Sequence, residues 1–151
     1  MLVNACAELG DDRIWVEKQF DALVDHLPLV SAFVEDELEK LACPMKVTLK
    51  LAIALEEIYV NIAQYGYDNK GGDCLVGVGF NPEDGTVAVK FIDSGIPFNP
   101  LEKEDPDITL PAEERGIGGL GIFMVKQISD DVSYEYKDGE NILTMIKKIR
   151  D

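Results

Sequence analysis

The chain has 151 residues, with 29 Asp and Glu against 14 Lys and Arg, a formal net charge of −15. Apolar residues make up 46%, enough to build a sizeable core and too many for disorder over the whole length. The acid excess excludes a nucleic-acid surface, since phosphate backbones are held by Lys/Arg clusters and none occurs before Lys147, Lys148 and Arg150; it also repels an anionic membrane.

A short strand is expected at residues 16–20. From 27 to 41 the apolar residues Leu27, Val30, Val34, Leu38 and Leu41 recur at helical spacing, and Cys43-Pro44 is expected to end that helix. A second helix is predicted over 45–65, with Leu51, Leu55, Ile58 and Ile62 on one stripe. After the turn cluster at 68–72, strands at 75–80 and 86–92 form a hairpin. Residues 93–115 lack periodicity, hold four of the seven prolines, and carry six acids between Glu102 and Glu114. Such a segment inside a compact domain reads as a functional lid or loop. A helix at 120–129 and a second hairpin follow, with strands at 132–136 and 141–149 around the tight turn Asp138-Gly139. Two hairpins separated by helices predict an α+β sandwich, a mostly antiparallel sheet with helices on one face, rather than a parallel βαβ fold. One domain of this length is expected.

Cys6, Cys43 and Cys74 are odd in number and widely spaced, so no disulfide framework is predicted; they read as reduced, mostly buried thiols of a cytoplasmic protein. A single histidine gives no basis for a zinc site, and His26 reads as a surface loop residue before a helix. The first residues lack the basic and apolar regions of a signal peptide, and no apolar stretch approaches the ~18 residues of a membrane span.

Three constellations can carry chemistry. Glu57 and Asn61 lie one helical turn apart, off the apolar stripe. A carboxylate beside an amide oxygen suits Mg²⁺, although from this pair alone a solvated helix face is the better account. Asp93 ends the row Val87, Val89, Phe91, which shares one strand parity and faces the core. A carboxylate there needs a donor, either a purine amino group or a nearby backbone N–H, and Gly95 lets the backbone approach a flat ligand. Lastly, Arg115-Gly116-Ile117-Gly118-Gly119-Leu120-Gly121 precedes a helix and offers N–H groups to phosphate; without a preceding strand it is not a dinucleotide fingerprint.

In order and spacing, Glu57-x-x-x-Asn61, Asp93-x-Gly95-x-Pro97-Phe98 and Gly116-x-Gly118-Gly119-Leu120-Gly121 resemble the N, G1 and G2 boxes of the histidine-kinase-like (Bergerat-type) ATPases. Leu55-Glu56-Glu57 and Gly119–Val125, with the closing Tyr134-Glu135-Tyr136 and Asn141-x-Leu143-Thr144, look most like the anti-sigma-factor serine kinases within that superfamily. The resemblance covers residues 14–149 and implies a two-layer α/β sandwich with a mixed, mostly antiparallel sheet and an ATP lid at 94–115, after an N-terminal extension at 1–13. It further implies Asn61 as the Mg²⁺ ligand, Glu57 as general base, and Asp93 on the adenine amine with Gly95 and Pro97 beside the base. Arg115, Gly116, Gly118, Gly119, Leu120 and Gly121 would contact the phosphates and hinge the lid, and Thr144 would help hold adenine. ATP and Mg²⁺ are the implied cofactors. The implied partners are an anti-anti-sigma protein (a STAS domain), phosphorylated on a serine or threonine, and a sigma factor; family members often dimerise. A binding module that uses nucleotide without catalysis is the alternative. One departure from many kinase members is Tyr65-Gly66-Tyr67, where Tyr65 stands in place of a histidine. The surplus acidity would then select a basic patch on a protein partner.

Overall fold

Alternation and helical periodicity are both realised in the computed structural model, which describes residues 13–102 and 120–150. Five strands form one sheet: β1 (Ile14–Asp21), β2 (Asp73–Asn81), β3 (Thr86–Asp93), β4 (Asp131–Lys137) and β5 (Glu140–Lys148). Their order is β1-β2-β3-β5-β4, and all four pairings are antiparallel, so the mixed sheet of the expectation becomes a purely antiparallel one among the described residues. The β4–β5 turn has both central residues at positive φ (Asp138 +53°, Gly139 +81°), the hand that matches strand twist in a two-residue hairpin.

Helices α1 (Leu27–Lys40), α2 (Met45–Asn61) and α3 (Leu120–Ile128) cover one face. Helix α1 buries Val30, Val34 and Leu38, one residue per turn, and α2 buries Leu51, Leu55 and Ile58 together with Ala54 and Tyr59. These meet Val76 and Val78 of β2, Val87, Val89 and Phe91 of β3, and Leu143 and Met145 of β5. The stop of α1 comes earlier than Pro44. Ala42 adopts φ +55°, its N–H donates to the Glu39 carbonyl and that of Cys43 to the Leu38 carbonyl, a Schellman-type end that closes the helix before the proline acts. Helix α2 also departs from its expected length. Regular α geometry ends at Asn61, and Ile62–Gly66 widen into a π turn closed by the Tyr67 N–H on the Ile62 carbonyl at 3.1 Å.

The second face of the sheet is buried at its centre as well. Ala88 is 0% exposed, and Lys90 sits with its Nζ 4.3 Å from the centroid of the Trp15 ring and in ionic contact with Glu17, both charged side chains buried. Among the described residues no helix is long and apolar enough to cross a membrane.

Candidate functional site

Strand β3 delivers Asp93 to a junction of four elements. Register sets it opposite Cys74 on β2 and Asn141 on β5, and its parity turns it to the helix side of the sheet. The residue is 5% exposed. Its Oδ1 accepts the Gly95 N–H at 2.9 Å and the Asn141 Nδ2 at 3.0 Å. Burial raises the carboxyl above the usual aspartate range, and these two hydrogen bonds oppose that rise by favouring the ionised form. The same burial, reinforced by the Asp93 charge, pushes the Cys74 thiol up to about 12, which keeps it protonated and unreactive.

The loop after Asp93 is fixed to the π turn. A Cβ on Gly95 would lie 2.5 Å from the Gly66 carbonyl oxygen, and the Ile96 N–H donates to that same carbonyl at 2.9 Å. Glycine is therefore required at 95 by the neighbouring backbone, independently of any flat ligand. The Tyr67 hydroxyl accepts the Ser94 N–H at 2.7 Å and donates to the Asp73 carbonyl at 2.6 Å, tying the loop to the start of β2.

Between these elements lies a cavity of about 410 Å³, part of it open to solvent. Helix α2 and its π extension line it with Ile58, Asn61, Ile62 and Gly66; the loop contributes Ile96, Phe98 and Pro100; the sheet contributes Asp93, Tyr134, Asn141 and Leu143. Asn61 and Asp93, 32 residues apart in sequence, thus share one cavity. Glu57 lies one turn before Asn61, outside that lining, with its carboxylate against the first turn of α3: a methyl group added at Gly121 would collide with it. Pro97 is exposed and does not line the cavity, whereas its neighbours Ile96 and Phe98 do. Tyr65 is 53% exposed and inclines its ring towards Phe98, 6.0 Å between centroids. Arg115, Gly116, Gly118 and Gly119, with most of the proposed lid at 94–115, lie outside the described residues; Leu120 opens α3.

Thr144 does not join the site. It pairs with Lys90 on β3 and Ser133 on β4, one residue out of step with the inward row Asn141, Leu143, Met145, and so projects from the opposite face of the sheet. The β5 residue that reaches Asp93 is Asn141, which, with Tyr134, stands in the closing motif but is given no role there. A signal was present: Asn141 is a polar residue closing a core-facing row, the same pattern that singled out Asp93.

Among the described residues no group of three or more His, Cys, Asp or Glu is placed to hold a metal ion. Asn61, which lines the cavity, carries an amide oxygen of the kind that could hold a Mg²⁺ whose other ligands were water and phosphate oxygens.

The model of the family described as histidine kinase-like ATPase domain matches residues 20–147. The chain belongs to that family. The histidine kinase-like ATPase match takes in α1, α2 and the whole described cavity. Serine-protein kinases RsbW from Bacillus thuringiensis (strain Al Hakam) and Bacillus cereus (strain AH820) are each 27% identical over 97 residues, covering 62% of this chain and 59% of theirs. The chain therefore spans about three fifths of the length of these curated relatives. In three dimensions the fold is similar to the crystal structure of the RsbU and RsbW domains of Rv1364c from Mycobacterium tuberculosis, with TM-score 0.64 and 17% identity over 89% of this chain and 32% of that one.

Proposed function

We propose that this ATPase-family chain binds ATP with Mg²⁺ and transfers the terminal phosphoryl group to a serine or threonine of an anti-anti-sigma (STAS-domain) partner, thereby controlling a sigma factor in the cytoplasm. The observation that carries this reading is the convergence of Asp93 and Asn61 on one cavity, with Glu57 one turn earlier on the same helix. With Oδ1 of Asp93 engaged by Gly95 and Asn141, Oδ2 takes the purine exocyclic amine. Ile58, Ile62 and Leu143 bury the ring. Asn61 offers its amide oxygen to the metal, and Mg²⁺, when bound, offsets charge on the phosphate oxygens. The segment Arg115–Gly121 supplies the remaining contacts to phosphate, through backbone N–H groups and one guanidinium. Glu57 accepts the hydroxyl proton as the partner's oxygen forms its bond to the phosphorus and the bond to the ADP oxygen breaks. Similarity to proteins named serine-protein kinase RsbW supports a serine as the acceptor residue.

The test is phosphoryl transfer from labelled ATP to a cognate STAS protein. Glu57→Gln should lower transfer by about 100-fold or more, the usual worth of a general base, with nucleotide affinity unchanged. Wild-type transfer by that variant overturns the role. Tyr65, exposed and leaning on Phe98 where many kinase members carry histidine, is the residue that favours the second reading, nucleotide-dependent partner binding without catalysis. Nucleotide-dependent capture of the STAS protein without transfer would select it.

A further inference from the structure

Asn141 is 6% exposed and makes the densest set of polar contacts in the cavity wall. On one side its Nδ2 donates to Asp93 Oδ1 at 3.0 Å and, at 3.3 Å each, to the Gly95 and Ile96 carbonyls. On the other its Oδ1 accepts the Phe98 N–H at 3.3 Å and the Tyr134 hydroxyl. Acceptors surround the nitrogen and donors surround the oxygen, so only one amide orientation satisfies the site. That orientation points an N–H at Oδ1 of Asp93, and the Gly95 N–H occupies the same oxygen. Both donors come from this chain, and both end on Oδ1.

We infer that Asn141, held in register by Tyr134, is the positioning residue that turns Oδ2 of Asp93 towards the ligand and so sets the preference for a purine bearing a 6-amino group. The inference rests on the adenine reading of Asp93 given above and adds the group that enforces it. An aspartate free to rotate presents either oxygen, and water or a loop N–H can satisfy it in several ways. One clamped through Oδ1 presents a single acceptor in a fixed direction. A 6-oxo purine offers an oxygen there, acceptor against acceptor, and leaves a buried carboxylate oxygen unpaired. The same amide also ties down the Gly95 and Ile96 carbonyls and the Phe98 N–H, so the wall that reads the ring edge and the loop that covers it share one anchor.

The experiment is equilibrium titration with ATP and with inosine triphosphate, which carries oxygen in place of the 6-amino group, on wild type, Asn141→Ala and Tyr134→Phe, with melting temperatures without nucleotide. Wild type should prefer ATP by about 10- to 100-fold, the range of a hydrogen bond to a charged group. Asn141→Ala should bring the two nucleotides within about threefold of each other, and Tyr134→Phe should fall between. A purely structural role would weaken both nucleotides alike and leave their ratio unchanged. The pH dependence gives a second readout. Asn141→Ala removes a donor that favours ionised Asp93, so the acid limb of ATP binding should move to higher pH. The ionisable neighbours Cys74, Tyr67 and Tyr134 all have raised values and do not titrate in that range. If wild type discriminates and both variants keep its ratio and acid limb, the inference is overturned. If Asn141→Ala fails to fold, the ratio of Tyr134→Phe decides, and a wild-type ratio there counts against it. Equal binding of both nucleotides by wild type would instead overturn the underlying adenine reading.

Discussion

Asp93 costs the fold something that an apolar or amide residue would not. Its ionised form is disfavoured by burial, so between the ordinary aspartate value and its raised native value the folded state binds more protons than the unfolded chain. Stability from this group is fully present below the unfolded value and is lost as pH rises through the native one. Asp93→Asn keeps an oxygen for the Gly95 and Asn141 donors and removes the charge. The variant should therefore melt at or above the wild-type temperature at pH 7, with the difference shrinking as pH falls towards 4, while losing ATP affinity by about 10-fold or more. Thermal melts across pH, paired with nucleotide titration, check both halves; a variant that melts well below wild type at pH 7 contradicts the assignment of Asp93 as a functional rather than structural carboxylate.

At the scale of elements, the sheet has two buried faces, and the sequence announces only one. Val87, Val89 and Phe91 alternate with Ala88 and Lys90, which reads as an apolar face backed by a solvent face, yet Ala88 and Lys90 are as buried as their neighbours. What hides Lys90 is a partner 73 residues earlier, Glu17, together with the ring of Trp15, and no local pattern encodes such a pairing. The π turn is not announced either. The apolar stripe of α2 runs on to Ile62 without a break, and the widened turn ends at Gly66, whose carbonyl accepts the Ile96 N–H of the loop after Asp93. By contrast, Asp93 was legible because alternation alone puts it on the inward row; the same rule, applied to β5, would have preferred Asn141 to Thr144. Removing one member of the buried ion pair strands the other charge. Glu17→Ala is expected to cost about 3–5 kcal/mol, whereas the double change Glu17→Leu with Lys90→Met should cost far less, measured by denaturant unfolding.

At the scale of the molecule, the hairpins, helices and their order followed from hydrophobic period and turn chemistry, which act over a few residues. The cavity depends on four elements meeting, α2, the loop after β3, β4 and β5, and its parts were legible only as separate motifs. Strand order does the joining: β5 inserts between β3 and β4, which brings Asn141 beside Asp93 across 48 residues of chain. Of the two acids of the motifs, Asp93 lines the cavity and Glu57 lies outside that lining.

Cys74 turns this architecture into a reporter. Its thiol is 0% exposed on a strand paired on both sides, opposite Phe20 of β1 and Asp93 of β3, and at a value of about 12 it is almost never a thiolate at neutral pH. A thiol reagent can reach it only when this end of the sheet opens, so in a Cys6→Ser, Cys43→Ser background the rate of modification counts openings that part β2 from its neighbours beside Asp93. A ligand that binds only the closed form at 100 times its dissociation constant should slow that rate about 100-fold. The same cysteine would thus time how often the protein lets go of its nucleotide fold, with no label added beyond the reagent, and modification equally fast with and without ATP would show that nucleotide does not hold the sheet shut.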